Sequence, residues 1–156
     1  MSQLDRLLRR LLARPVTELV REAMAKPFVY ENPARLHIHP TAVVNNALFN
    51  LSSGDITIER DAFFGHNVAI LTGTHDINTF GPERKVAVPR TGRDVRIGEG
   101  AWLSSFVIVV GPCTIGEHAV VGVGSLVLDD VAPYTIVAGS PAKPRGTVRS
   151  SDSMHP

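Results

Sequence analysis

From Ile97 to Val127 every sixth residue is a branched aliphatic: Ile97, Leu103, Val109, Ile115, Val121 and Val127. An α-helix repeats at about 3.6 residues and a flat strand at two, so neither produces this period. A chain with one inward aliphatic per six residues must turn a corner after each short strand. Successive strands then lie on different faces of a prism and share one axis. Four residues after each aliphatic comes a second, mostly small residue: Ala101, Val107, Cys113, Ala119 and Ser125. The phase recurs upstream at Ile58, Phe64 and Ile70, with Ala62, Val68 and Thr74 as partners, and more weakly at Ile38, Val44 and Asn50. A fixed short period is the mark of a solenoid and outranks local propensity. The expected fold is mainly β, a hexapeptide parallel β-helix.

Three strands close one triangular turn, so a coil takes about 18 residues and about four to five coils fit between Ile38 and Val137. Stacked at about 4.8 Å, they make a prism only about 20 Å tall. The segment 50–56 (NLSSGDI) breaks the phase and reads as a bulge. The segment 76–94 carries no hexad and holds two prolines and two glycines. It reads as a loop ejected from one corner, and long loops inside compact domains are commonly functional. Pro133 is expected to end the coil, with a polar tail frayed beyond about Val148. The chain divides into a helical segment 1–35, a coil domain 36–146 with the ejected loop, and a tail 147–156.

Residues 3–26 read as helical, with Leu4, Leu7, Leu8, Leu11 and Leu12 on one stripe. Pro15 should interrupt the helix, and a second one is expected near Thr17 with Glu18 in its first turn. The arginines of this segment give it a basic face. The leucines are expected to pack on the coil or on a neighbouring subunit; contact with an anionic membrane surface is the alternative. Arg6, Arg9, Arg10 and Arg14 break the apolar run, so no secretory leader is read. No stretch reaches the roughly 20 apolar residues of a membrane span, and a cytoplasmic location is expected. A net charge of +1 gives no basic stripe for nucleic acid. The single cysteine, Cys113, falls at an inward position and reads as a core filler rather than a nucleophile.

Three stretches resemble a known family: ITIERDAFFGHNVAILTGTHD (56–76), VRIGEGAWLSSFVIVVGPCTIGEHAVVGVGSLV (95–127) and DVAPYTIVAGSPAK (130–143). The chain is similar to the hexapeptide-repeat acyltransferases, which include galactoside, maltose, serine and xenobiotic O-acetyltransferases. The resemblance implies a left-handed coil, acetyl-CoA or another acyl-CoA as co-substrate, and a homotrimer with active sites between subunits. Flat parallel faces also want covering on their outer side, which three-fold association would supply. No metal site is implied.

His75, at the mouth of the ejected loop, is by resemblance the general base. A neutral imidazole near pH 7 can take the proton of an acceptor hydroxyl as its oxygen attacks a thioester. An orienting carboxylate or carbonyl should fix its tautomer, and Asp76 and Glu83 are the two carboxylate candidates. Trp102 should point outward; the resemblance puts it beside the pantetheine arm, and intersubunit packing is the other reading. Ser105 matches a position near the thioester, where a donor could stabilise the oxyanion. Gly122, Val123, Gly124 and Ser125 form a tight corner that either binds the pantetheine arm through its backbone or merely turns the coil. Lys143 and Arg145 suit the phosphates of coenzyme A. Asn45 and Asn50 stand in the segment where sugar-acetylating relatives grip their acceptor. An asparagine expected near Leu48 is absent, which leaves the acceptor open.

These readings favour a coenzyme A-dependent O-acyltransferase acting on a sugar or saccharide-like hydroxyl, with no acyl-enzyme. Two rivals share the coil: a non-catalytic assembly module, and a γ-type carbonic anhydrase drawing on His66, His75 and His118. The second lacks the His-x4-His pair sought for zinc. Coenzyme A binding separates the first reading from both.

Overall fold

The structure, a computed structural model, describes residues 15–22 and 24–149. Its strands are two to five residues long, because each hexad spends the rest of its length on a corner. They fall on three sheets. The first orders β1 (Phe28–Tyr30), β3 (Leu48–Asn50), β6 (Ala69–Leu71), β9 (Ile108–Val110) and β12 (Leu126–Val127). The second orders β2 (Leu36–Ile38), β4 (Ile56–Ile58), β7 (Val95–Ile97) and β10 (Cys113–Ile115). The third orders β5 (Phe63–Phe64), β8 (Trp102–Leu103), β11 (Val120–Val121), β13 (Thr135–Ala138) and β14 (Lys143–Thr147). The chain visits second, third and first sheet in turn. All pairings are parallel except β13 with β14.

Register stacks the inward residues into columns. Ile38, Ile58, Ile97 and Ile115 align on the second sheet. Phe64, Leu103, Val121 and Val137 align on the third. Phe49, Ile70, Val109 and Val127 align on the first. The six aliphatics of the regular hexads are at most 1% exposed, and each such side chain contributes about 1.5–3 kcal/mol on burial. Ala101, Val107, Cys113, Ala119 and Ser125 are buried beside them.

Several expectations are corrected. The weak upstream copy places Phe49, not Asn50, in the core, because the step from Val44 is five residues there. Thr72 rather than Thr74 is the inward filler, since the chain leaves the prism after Leu71; its hydroxyl donates to the Asn50 carbonyl at 2.8 Å. Pro133 ends the hexads but not the sheet: β13 continues the third sheet, and β14 folds back antiparallel on it. Lys143–Thr147 is strand, so the sheet runs past the expected start of the tail at 147, and the Val148 amide still bonds the Tyr134 carbonyl. At the other end, β1 extends the first sheet ahead of residue 36.

Residues 15–22 are helical, so the chain is already helical at Pro15, ahead of the start expected near Thr17. The helix's Val16, Leu19, Val20 and Met24 are exposed and do not join the core. The leucine stripe 4–12 and the tail beyond Arg149 lie outside the described residues.

Corner geometry follows the same clock. Three residues after an inward side chain, Asp61, Gly100 and His118 turn from second to third sheet, and Asn67, Phe106 and Gly124 turn from third to first, all at positive φ. Glycine, asparagine and aspartate accept that conformation readily, whereas Phe106 (φ 62°) does so against its side-chain preference.

The outer faces differ in chemistry. The second sheet presents His37, Thr57, Arg96 and Thr114. The first presents Phe28, Leu48, Ala69, Ile108 and Leu126, and the third presents Phe63, Trp102, Val120 and Ile136. Two faces of the prism are thus apolar outside as well as inside.

Candidate active site

The long loop leaves the prism between β6 and β7, at the corner joining first and second sheets. Two arginines pin its return: Arg93 Nε donates to the Thr72 carbonyl at 2.9 Å, and Arg35 Nη1 donates to the Arg90 carbonyl at 2.9 Å. Arg35 is itself held by Asp55 at 2.6 Å. Inside the loop, residues Gly81–Lys85 form a 3-10 turn.

His75 stands exposed at the start of this loop. Its Nδ1 lies 2.8 Å from the carbonyl oxygen of Arg84. A carbonyl only accepts, so this contact puts the proton on Nδ1 and leaves the Nε2 lone pair unprotonated in the neutral ring. That is the form a general base requires. The partner is a carbonyl and neither of the two carboxylates. Asp76 Oδ1 instead accepts the Asn78 amide at 2.8 Å, shaping the loop, while the Glu83 backbone carbonyl accepts the Val86 and Ala87 amides. Sequence reasoning missed Arg84 because a backbone carbonyl has no side-chain identity to read. His75, Gly81, Arg84 and Lys85 line an open cleft of about 370 Å³.

Gly73, two residues before His75, lies against Asn50. A β-carbon there would come within 2.5 Å of the Asn50 side-chain oxygen. Asn50 also accepts the Ser52 amide at 3.0 Å, so it buttresses the approach to the histidine. Asn45 is at another corner, donating from Nδ2 to the Phe64 carbonyl at 2.7 Å. The two asparagines are not brought together.

Ser105 sits between β8 and β9, at the corner joining third and first sheets. Its Oγ accepts the His66 amide at 3.0 Å, which leaves the hydroxyl hydrogen available for donation. Gly122 to Ser125 turn the same corner one coil further along. Ser125 is 1% exposed, with Oγ donating to the Gly122 carbonyl at 2.6 Å and accepting the Gly139 amide at 3.1 Å. Its hydroxyl is consumed internally. The Gly122 amide likewise goes to the Val137 carbonyl. Val123 and Gly124 remain as the exposed tip.

Trp102 does point outward and is 42% exposed. It stacks on Phe63, a residue the sequence reading passed over. The signal was present: Phe63 precedes inward Phe64 as Trp102 precedes inward Leu103. Lys143 and Arg145 are exposed on β14 and line a larger cleft of about 580 Å³ with Asp129 and Asp130. That cleft, at the end of the prism, holds none of His75, Trp102 or Ser105.

One chain therefore does not assemble all the candidates. His75 is at one corner; Trp102, Ser105, Val123 and Gly124 are on the third sheet or at its other edge. His66 and His118 occupy the two remaining corners, and among the described residues no three possible metal ligands gather. Cys113 is buried, and desolvation, with Asp130 and Asp129 nearby, pushes its thiol up to about 12. It is not a nucleophile near neutral pH. Among the described residues no helix is long and apolar enough to cross a membrane.

The family described as bacterial transferase hexapeptide (six repeats) matches residues 94–129. A galactoside O-acetyltransferase of Lactococcus lactis is 30% identical over 146 residues, spanning 91% of this chain and 68% of that protein. Serine acetyltransferase 2 of Arabidopsis thaliana is 38% identical over 109 residues, 69% of this chain but 31% of that protein. Among solved structures, a maltose O-acetyltransferase from Clostridium difficile superposes with a TM-score of 0.53 at 26% identity, covering 80% of this chain and 68% of the other. A hexapeptide-repeat acetyltransferase from Vibrio cholerae, solved with acetyl coenzyme A, shares the fold at 22% identity and a TM-score of 0.54, covering 80% and 70%. With its coil, its inward hexads and a relative matched over most of both lengths, this chain belongs to the hexapeptide-repeat acetyltransferases.

Proposed function

We propose that the chain is an acetyl-CoA-dependent O-acetyltransferase acting on a hydroxyl of a saccharide-like acceptor, with His75 as general base. In this reading the coil is left-handed and three copies assemble with their active sites in the seams. The observation that carries the proposal is the exposed imidazole whose Nδ1 is occupied by the Arg84 carbonyl, leaving Nε2 to the acceptor. Two apolar outer faces beside one polar face support the trimer, because each copy in a three-fold ring touches two neighbours. The separation of His75 from Ser105 within one chain supports sites built from two copies.

Acetyl-CoA would supply the acetyl group as a thioester. The acceptor oxygen attacks its carbonyl carbon while Nε2 takes the hydroxyl proton. The Ser105 hydroxyl, with its hydrogen free to donate, would stabilise the oxyanion. As the carbon–sulfur bond breaks, the imidazolium returns the proton to the departing sulfur. Trp102 and the Val123–Gly124 tip would flank the pantetheine arm, and Lys143 and Arg145 would meet phosphates. No acyl-enzyme is involved, in keeping with the buried, protonated Cys113.

The test is thiol release from acetyl-CoA over a panel of sugars, amino sugars, oligosaccharides and amino alcohols. The expected result is turnover with a hydroxyl acceptor that falls at least about 100-fold in His75→Ala, with the association state unchanged. Transfer confined to amines would reject the O-acetyl reading, and a fully active His75→Ala would reject the base. Failure to bind coenzyme A would return the chain to an assembly role.

A further inference from the structure

Arg84 does more in this fold than lend a carbonyl. The 3-10 turn Gly81–Lys85 closes with the Val86 and Ala87 amides both on the Glu83 carbonyl. The next carbonyl, that of Arg84, is left outside the turn's own bonding and points at His75 Nδ1. Carbonyls at the end of a helical turn need a partner, and here the imidazole is that partner. What holds the turn in place is the side chain of the same residue. The Arg84 guanidinium reaches back across the loop, donating from Nε to the Thr79 carbonyl at 2.6 Å and from Nη2 to the Ile77 carbonyl at 3.1 Å. Its Cζ lies 5.0 Å from the centre of the Phe80 ring. The other side of the loop is closed by the Asp76 amide on the Ala87 carbonyl at 2.7 Å and by Thr79 Oγ on the Asp76 carbonyl at 2.9 Å. Backbone and side chain of one residue thus bind the two ends of one device.

We propose that Arg84 is a positioning residue for His75: its guanidinium clamps residues 77–80 so that its own carbonyl stays on Nδ1 and selects the Nε2-basic tautomer. The kinetic consequence rests on the base role proposed for His75; the tautomer itself does not. A planar fork serves the two carbonyls and the aromatic face together, and lysine, with one ammonium, serves them poorly. Arg84→Ala should release the loop while leaving the β-helix core intact, because Arg84 is exposed and outside the core.

The experiment is imidazole-nitrogen NMR on protein labelled in histidine, with His75 assigned by His75→Gln, alongside steady-state kinetics and thermal unfolding. The parent should show Nδ1–H at His75. Arg84→Ala should give a mixture of tautomers and a kcat lower by about tenfold, smaller than the loss of the base itself, at unchanged KM for acetyl-CoA. Arg84→Lys should fall between. An unchanged tautomer in Arg84→Ala overturns the proposal, whether or not kcat falls, since a fall alone would place Arg84 on the acceptor instead. If Arg84→Ala lowers the unfolding midpoint of the whole chain, Phe80→Leu, which removes only the ring beneath the guanidinium, decides in its place by the same tautomer readout. A shifted tautomer in a protein whose His75→Ala variant is fully active would retain the clamp and discard the base.

Discussion

Phe63 and Trp102 stack on adjacent rungs of the third sheet, their ring centroids 5.7 Å apart and their planes 12° from parallel. Their sequence neighbours Phe64 and Leu103 are buried in the core, while the stacked pair is 44% and 42% exposed. Successive side chains of a strand point to opposite faces, so the same rungs that fill the prism also raise an aromatic ridge outside it. With Val120 and Ile136 in register, the ridge runs along the face.

A ridge of that kind is suited to a neighbouring copy, since apolar surface buried between subunits contributes about 25 cal/mol per Å². The parent should sediment as a trimer. Replacing both rings, Phe63→Ala with Trp102→Ala, should shift it toward monomer, with far-ultraviolet dichroism retained. A monomeric parent, or a double variant of unchanged mass, would remove the third sheet from any interface.

Two glycines should fail for different reasons when changed to alanine. At Gly65 a β-carbon would lie 2.5 Å from both the Ser105 amide nitrogen and Oγ, so the coils must part. Overpacking of this kind costs about 1–3 kcal/mol. At Gly124 nothing lies within 4 Å, and the cost comes from φ of +66° alone, about 1–2 kcal/mol. Urea unfolding should rank both variants below the parent. Because a β-carbon at Gly65 would press on the Ser105 hydroxyl itself, Gly65→Ala should also lower kcat. Gly124, whose amide bonds the Ser105 carbonyl at 3.0 Å, lies at the tip proposed for the pantetheine arm and should act on KM for acetyl-CoA. An unchanged kcat in Gly65→Ala would count against Ser105.

The Cys113 thiol, ordinarily at 9.0, is pushed up to about 12 in the fold by burial. The unfolded chain therefore releases this proton first as pH rises, and the folded state binds more protons between those values. Stability contributed by the neutral thiol is present below pH 9 and declines above it, by at most about 1.4 kcal/mol per pH unit. Tyr134 is also raised, by desolvation and then Glu117, and works in the same direction. The difference in alkaline unfolding midpoints between parent and Cys113→Ala isolates the cysteine. Curves that remain parallel up to pH 11 would show the thiol to be solvated.

Deleting 78–92 should impair acceptor use more than affinity for acetyl-CoA, because His75 and the cleft of Gly81, Arg84 and Lys85 belong to that loop. Calorimetry with coenzyme A, against acceptor KM, separates the two effects. The reverse ranking would move the loop to the coenzyme side.

How much of this was legible depends on what each feature is made of. The core columns were readable from Ile97 to Val127 because inward positions tolerate little besides aliphatic and small side chains, and six-residue spacing survives in the letters. The same rule misplaced Asn50, where a corner shortened by one residue put Phe49 inside. Pro133 marks the end of the period, yet backbone amides beyond it still found partners, which no hydrophobic pattern records. His75 was visible as a residue type at the mouth of an aperiodic loop. Its partner was not, since any residue could supply the carbonyl that Arg84 supplies.

By itself the order of residues determined the period, the inward columns from Ile97 to Val127 and the presence of an aperiodic loop, while resemblance to a family marked His75 as the base candidate. Only the folded chain decided which carbonyl holds that histidine, that Ser125 spends its hydroxyl internally, and that His75 and Ser105 stand at different corners. Those outcomes arise from contacts between backbone groups and between rungs many residues apart, and their energies depend on distance and direction, which a linear pattern of side chains does not contain.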